Sequence, residues 1–284
     1  MATNKLHHHG RRFHCFGLRH FYLFTARLLG FVSVAILLLF QSSSWGCEWV
    51  LPSDQTGGWS TSANWGGLEP TSDSIAYIYN GGTAIVTQPD EACLYLYLGN
   101  SGAGHSGAVQ LESGFLSASK VYIGNYNTGL FTQLGGTNTI SGNLYLGYNT
   151  GSNGTYNLNG GTLVLHSISK GSGIAAFNFG GGTLQANSNF STTLPMTLTG
   201  NGGNANVDTA GYTVTYSGQL SGSGGLNKLG SGNLSLTGIN TYTGGTNINV
   251  GNLSISSTAA LPGWDTPGKY TVASGAPCWQ SETA

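Results

Sequence analysis

The sequence predicts an all-β fold, a right-handed parallel β-helix or β-solenoid with glycine-rich turns, preceded by a signal segment. Three observations point to this class: 47 glycines in 284 residues, 39% hydrophobic but only 7% charged residues, and an internal repeat. A disordered low-complexity chain normally has fewer aromatic residues and more charge, whereas this one has 14 tyrosines. Short apolar stretches separated by turn formers are typical of many short strands.

Residues 1–46 are predicted to form a signal peptide or targeting segment. A basic, His-rich stretch precedes an apolar run from Leu28 to Phe40, which is shorter than the ~20 residues needed to span a bilayer. Ser44 and Gly46 suit the −3 and −1 positions of a cleavage site before Cys47. An uncleaved membrane anchor and a lipid attached to Cys47 are the alternatives. The expected location is extracellular or at the cell surface, with membrane contact only through this segment before processing.

Region 94–261 is predicted to be the β-solenoid because it repeats internally. A short alternating strand recurs three times and ends at Gly99, Gly124 and Gly147, and Gly-Gly pairs continue the rhythm every 20 to 25 residues. This period indicates stacked coils with apolar side chains inside and glycine-rich corners. About seven coils would form a rod of roughly 35 Å, at ~4.8 Å per coil. Inward Asn and Thr residues are expected to form hydrogen-bonded ladders along it.

Residues 230–246 and their continuation over 251–253 resemble the autotransporter-associated β-strand repeat. The core of that family reads G-x-G-x-L-x-L-x-G-x-N-T-Y-T-G-G-T, which this segment matches almost throughout. Residues 222–228 look like the usual lead-in of the repeat. The resemblance implies a β-helical passenger displayed at or beyond the outer membrane. Relatives typically carry many more repeats, so the irregular residues 262–284 are expected to end a truncated or frame-disrupted copy.

The sequence points to no catalytic, cofactor-binding or metal-binding residue. Between positions 94 and 261 the acidic residues are Glu112 and Asp208, about four coils or roughly 19 Å apart, too distant for the carboxylate pair of a glycosidase. Asp90 and Glu91 are predicted to lie in a solvated turn. His105 is expected to be a single surface histidine, and the same is expected of His166, so zinc ligation is not predicted.

Charge and cysteine spacing exclude further classes. Beyond residue 46 the chain has four lysines, no arginine and ten acids, a net charge of 4 − 10 = −6. Nucleic acid is therefore not a predicted partner, since phosphate backbones need clustered cations. Cys15 lies in the leading segment, and Cys47, Cys93 and Cys278 are far apart, so no disulfide framework is expected.

Region 47–93 is predicted to cap the first coil. Its aromatic residues Trp49, Trp59, Trp65, Tyr77 and Tyr79 would cover an exposed edge, with an aromatic platform for sugar stacking as the alternative. The leading functional interpretation is a secreted or surface-displayed structural and adhesive β-solenoid without catalysis. Its partners would be cell-surface or matrix components, polysaccharide among them. The alternative is a carbohydrate-binding protein that uses these aromatics or a Tyr/Asn-lined face, ahead of a β-helical polysaccharide lyase or hydrolase.

Overall fold

The computed structural model describes residues 46–100, 106–273 and 280–281. These residues form 24 β-strands and two short 3-10 helices, Ser62–Trp65 and Thr258–Ala260, and no α-helix occurs among them. In the same ranges, no helix has the length and apolar character required to cross a membrane. The predicted signal segment lies outside the described residues, apart from its last residue, Gly46.

The strands are short, as the spacing of the turn formers requires. In the first half of the described chain they are β1 (Gly46–Glu48), β2 (Thr56–Gly58), β3 (Ile75–Ile78), β4 (Thr83–Val86), β5 (Glu91–Leu98), β6 (Gly107–Leu111), β7 (Phe115–Ile123), β8 (Thr128–Gln133), β9 (Thr137–Leu146), β10 (Asn153–Leu158), β11 (Thr162–Lys170) and β12 (Ile174–Phe179). In the second half they are β13 (Thr183–Ala186), β14 (Phe190–Thr192), β15 (Met196–Leu198), β16 (Ala205–Asp208), β17 (Thr213–Tyr216), β18 (Leu220–Ser221), β19 (Leu226–Leu229), β20 (Asn233–Leu236), β21 (Thr246–Ile248), β22 (Asn252–Ile255), β23 (Tyr270–Val272) and β24 (Gln280–Ser281).

The strands form three sheets in which neighbours come from successive coils. Sheet 1 has eleven strands in the order β1-β3-β5-β7-β9-β11-β13-β16-β19-β21-β23. Sheet 2 has eight, β2-β4-β6-β8-β10-β12-β15-β18, and sheet 3 has five, β14-β17-β20-β22-β24. The strand pairs at both ends of sheet 1 and in its middle are parallel. This arrangement confirms the predicted parallel β-solenoid.

The coil count also agrees with the sequence. Seven strands of sheet 1 begin between residues 94 and 261, namely β7, β9, β11, β13, β16, β19 and β21. Regular pairing continues outside that range, since β1 and β3 precede it and β23 follows it in the same sheet. The region expected to be a separate cap therefore contributes strands to the first coils.

Long strands bend around a corner of the coil in the first half of the rod. The pairing of β7 with β9 shifts register between Ala118 and Val121, and that of β11 with β9 shifts between Leu165 and Ser167. The first half of β11 continues onto β13 in the next coil, but its second half, 167–170, pairs only with β9. The corresponding segment of the next coil is β14, which pairs with β17 in sheet 3.

The interior consists of columns of like side chains from successive coils. A stack of rings joins Phe131 to Tyr156 at 4.8 Å between centroids, and Tyr156 to Phe177 at 5.4 Å. The Tyr156 hydroxyl donates to Gln133 Oε1 at 2.6 Å and accepts a bond from Asn138 Nδ2 at 3.1 Å, which satisfies this buried hydroxyl.

The asparagine ladder lies on the outer surface and not inside, so the expectation of inward ladders is wrong for this column. Asn227 Nδ2 donates to Asn206 Oδ1, and Asn247 Nδ2 donates to Asn227 Oδ1, each at 2.8 Å. Thr271 continues the column with a 2.7 Å bond to Asn247. Alternation explains the placement, because Leu226 takes the inward position beside Asn227.

Lys228 is fully buried, in the inward column between Val207 and Ile248. Its ammonium donates to the carbonyl oxygens of Leu229 (2.8 Å), Gly230 (2.7 Å) and Val250 (3.0 Å), and to the Thr209 hydroxyl (3.0 Å). Burial lowers the pKa of this group to about 8, and nearby Asp208 opposes the shift. The side chain thus joins the corners of three successive coils.

Three tryptophans fill one end of the core. Trp49, Trp59 and Trp65 are at most 3% exposed, and Trp65 packs edge-on against the other two at 4.9 and 4.8 Å. The Trp65 indole also donates to the Trp59 carbonyl at 2.6 Å. Buried rings offer no face to a sugar, so these tryptophans do not form the alternative binding platform.

Glu91 is buried in β5, which corrects the expectation of a solvated turn; only the neighbouring Asp90 is exposed. Burial raises the pKa of Glu91 to about 8, helped by a hydrogen bond and repulsion from Glu69 and by Asp90, while a bond from Ser60 opposes the rise. Its carboxyl is therefore protonated at neutral pH in the folded chain.

This raised pKa predicts a pH-dependent stability. Between pH 4.5 and 8 the folded chain holds a proton that the unfolded chain has released, so the free energy of unfolding falls as pH rises through this window. Glu91→Gln, which mimics the protonated form, should flatten the fall and exceed the wild type by up to about 5 kcal/mol at pH 8.5, since the pKa rises from 4.5 to about 8. Chemical denaturation across pH 4–9 measures this, with exposed Glu112→Gln as the control. Parallel pH curves for Glu91→Gln and the wild type would contradict it.

Candidate ligand-binding face

Four tyrosines form a continuous stack along the outside of the rod. Tyr77, Tyr97, Tyr122 and Tyr145 occupy one register of β3, β5, β7 and β9. Their ring centroids are 5.2, 4.6 and 4.9 Å apart, and neighbouring planes differ by at most 18°. Tyr148, in the loop that follows β9, packs edge-on against Tyr122 and Tyr145. We call the surface made by these five residues the tyrosine face.

The stack exposes ring edges and hydroxyl groups rather than ring faces. Each inner ring is covered on both sides by its neighbours, so a sugar cannot lie flat on it, whereas Tyr148 is 40% exposed. Burial and the neighbouring Tyr122 raise the pKa of Tyr97 to about 12. The row therefore presents hydroxyls at the spacing of successive coils, and a tyrosine hydroxyl can both donate and accept.

One end of the tyrosine face is acidic. Glu48 is in register with Tyr77 and starts the same column. The hydroxyl of Tyr79 bonds to Glu48, and burial together with this carboxylate raises the pKa of Tyr79 to about 12. A carboxylate here would repel an anion, so the acidic end limits where a negatively charged partner can lie.

The rest of this side of the rod carries lysine and no acid. Segments 95–98, 120–123, 143–146 and 167–170 contain no Asp or Glu. Lys120 is in the outward row, two residues before Tyr122, whereas Lys170 ends β11 in register with inward Leu146 and is exposed there. Lys120 Nζ lies over the ring of Tyr95, 5.7 Å from its centroid. Asn143 donates to the Tyr145 hydroxyl at 2.6 Å and is itself bonded by Ser167. Amides, hydroxyls and ammonium groups thus border the stack.

A polar cleft lies beyond the last tyrosine, between β11 and β14. The two strands belong to different sheets, and the gap between them has a volume of about 230 Å³. Ile168 and Thr192 are buried at its floor, whereas Lys170 and Ser191 are exposed at its rim. Ser169, which also lines the cleft, is in register with Tyr145, so the cleft continues the tyrosine column.

The acidic residues weighed as a catalytic pair have structural partners. Asp208 accepts from Gln185 Nε2 and from the Ala210 amide, both at 2.8 Å. Glu112, exposed after β6, accepts from Gln110 Nε2 at 2.7 Å. Within the described ranges, no group of three or more His, Cys, Asp or Glu side chains has a metal-binding arrangement.

The histidine and cysteine predictions are tested only in part. His166 is exposed at the bend of β11, and its carbonyl accepts from the Ser188 hydroxyl at 2.8 Å. Cys47 and Cys93 are buried, and burial and then Cys47 raise the pKa of the Cys93 thiol, which makes it a poor nucleophile. His105, Cys15 and Cys278 lie outside the described residues.

Comparison with known proteins agrees with the fold. A family model described as a passenger-associated transport repeat matches residues 226–255. The adhesin BmaC autotransporter of Brucella suis biovar 1 (strain 1330) is 38% identical over 107 residues, covering 34% of this chain and 3% of that protein. No solved structure matches the chain significantly. The chain is therefore a parallel β-solenoid in which residues 226–255 match a passenger-associated transport repeat.

Proposed function

We propose that this chain is a surface-displayed structural and adhesive solenoid of the autotransporter passenger type, which acts by binding and not by catalysis. The observation that carries the proposal is the tyrosine face, a continuous row of half-buried rings that presents its edges and hydroxyls beside exposed Tyr148. The similarity to a protein named as an adhesin supports an adhesive role. Because the chain spans 3% of that relative, its display and its partners are parts of this proposal.

The rod suits adhesion because each coil is held by its neighbours. Ladder hydrogen bonds and side-chain columns fix the outward residues, so a partner meets a surface that is already ordered. Tyrosine is effective in such a surface because a large ring is immobilised at low entropic cost. The partners proposed are cell-surface or matrix components, polysaccharide among them.

Tyr148→Ala should weaken adhesion about tenfold, since exposed aromatic anchors commonly dominate binding energy. The measurement is the retention of beads, coated with the purified full-length chain, on plates coated with extracellular matrix. Tyr212→Ala is a matched control, because Tyr212 is 39% exposed, close to the 40% of Tyr148, but lies away from the tyrosine face. Equal losses in the two variants would contradict a role for this face.

Surface display needs its own experiment. Cells producing the full-length chain should bind an antibody against it without being permeabilised, and added protease should remove that signal. An intact chain that stays with the inner membrane would contradict display. Sequencing the N-terminus of the product would also decide between cleavage before Cys47 and an uncleaved anchor.

A further inference from the structure

We infer that the cleft between β11 and β14 is a binding site for one anionic sugar residue of an extended acidic polysaccharide, whose chain lies along the tyrosine face. The inference deepens the proposed adhesive function and rests on it. Four observations carry it: the split between two sheets, the size of the cleft, the charge at its rim and its alignment with the tyrosine column.

Where β11 and β14 separate into different sheets, the facing backbone edges lack the strand pairing that joins successive coils elsewhere in the rod. The two coils remain joined at Leu165, whose carbonyl accepts from the Asn187 amide at 2.9 Å. Beyond that point, segment 167–170 pairs with β9 on one side, and no strand pairing is found with β14 on the other within the described residues. The cleft walls are therefore facing strand edges, whose backbone groups can bond a ligand hydroxyl.

The size and lining of the cleft suit a small polar ligand. A space of about 230 Å³ is below the 300 to 1,000 Å³ typical of drug-sized sites, a size that suits one sugar ring. The side chains of Ser169, Ser191 and Thr193 place hydroxyls around it. Hydroxyls both donate and accept, which matches the alternating donors and acceptors of a sugar.

Charge complementarity selects an anion. Lys170 is exposed at the rim, and Lys120 is two coils away, about 10 Å along the rod. The chain beyond residue 46 is net acidic, yet segments 95–98, 120–123, 143–146 and 167–170 contain no carboxylate, and Glu112, the acid between residues 95 and 170, follows β6 in sheet 2. A carboxylated sugar at Lys170 would gain a charge-assisted hydrogen bond, and the next sugars would run towards Lys120.

The alignment selects an extended polymer. Ser169 follows Tyr145 in register, so a chain leaving the cleft meets the hydroxyls of Tyr145 and then Tyr122. Tyr148 projects beside both rings and can pack against the apolar face of a sugar. Glu48 at the far end would repel the same anion, which limits occupancy to the cleft end of the column.

The test uses an oligomer of galacturonic acid as the anionic probe and its methyl ester as the matched neutral probe, both titrated into the full-length chain by calorimetry. The acid form should bind at least about tenfold more tightly than the ester, and raised salt should weaken it. Lys170→Met should lower affinity about tenfold. Lys269→Met, which removes another exposed lysine, should leave it unchanged. Ser191→Leu, which narrows the cleft without changing charge, should also weaken binding.

Two results would overturn the inference: equal binding of acid and ester, or acid binding that Lys170→Met does not change. The adhesive function fails separately. If beads remain attached in a Tyr148-dependent manner while the oligomer does not bind, the cleft assignment is wrong and adhesion stands. If the oligomer binds through Lys170 while Tyr148→Ala and Tyr212→Ala beads behave alike, adhesion through the tyrosine face is wrong and the cleft site stands.

Discussion

Gly129→Ala is expected to lower the free energy of unfolding by about 3 kcal/mol and the melting temperature by about 6 to 12 °C. Gly107, Gly129 and Gly154 occupy one register of β6, β8 and β10. A methyl group on Gly129 would collide with the amide nitrogen of Gly124 and lie 2.9 Å from the Leu98 carbonyl oxygen. These are backbone atoms, Gly124 at the corner of the same coil and Leu98 in the previous coil, so relief requires both the corner and the coil spacing to change.

Gly151→Ala provides the control for this prediction. Gly151 has a φ of +83°, but a methyl group there meets nothing within 4 Å. Its replacement carries only the backbone cost of a left-handed conformation, about 1 to 2 kcal/mol. Thermal unfolding followed by circular dichroism compares the two variants. A loss for Gly151→Ala equal to that for Gly129→Ala would show that conformation, and not close approach, requires the glycines.

Lys228→Met should destabilise the fold by about 3 kcal/mol at pH 7, where the ammonium is charged because its pKa is about 8. Methionine keeps the apolar stem but removes the ammonium from the carbonyls of Gly230 and Val250, whereas the Leu229 carbonyl still accepts from the amide and hydroxyl of Thr209. Buried ion pairs can often be replaced by apolar residues at little cost. Here the acceptors belong to the backbone and remain, so the loss is not compensated.

Chemical denaturation of the full-length chain tests the Lys228 prediction. Lys269→Met is the matched control, because Lys269 donates one bond to the Thr243 carbonyl at 2.8 Å but lies on the surface. An exposed contact of this kind should change stability by less than about 0.5 kcal/mol. Equal stability of Lys228→Met and the wild type would show that water or a rearranged corner satisfies the freed carbonyls.

The tyrosine column was within reach of sequence reasoning. The repeated Leu-Tyr-Leu-Gly pattern around Tyr97 and Tyr145, with Val-Tyr-Ile-Gly around Tyr122, places each tyrosine between two inward apolar residues. Once coils are stacked in register, these side chains must form one outward row. The prediction of a Tyr/Asn-lined face held this idea, but Tyr77 was grouped with the tryptophans of the predicted cap, because sequence does not show which aromatic residues are buried at the end of the core.

The β11–β14 cleft and the role of Lys228 were not predictable in the same way. The cleft arises because the second half of one coil leaves the sheet of the previous coil, and no residue pattern marks that change between Leu165 and Phe190. Alternation with Leu226 does place Lys228 inward. Burying a charged lysine is normally unfavourable, and the carbonyl groups that compensate for it come from neighbouring corners, which the sequence pattern does not reveal.

The outward columns bear on how such a rod changes length during evolution. Successive coils place the same residue at the same position, as with Tyr97 and Tyr122 or Asn227 and Asn247. Unequal recombination between neighbouring coding repeats would delete or duplicate one whole coil. The coils on either side of the change would then still stack identical residues on each other in these columns. Each such event changes the rod by about 4.8 Å without creating a mismatched junction. The length of the rod can therefore vary by gene rearrangement alone, while the surface that the rod presents is preserved.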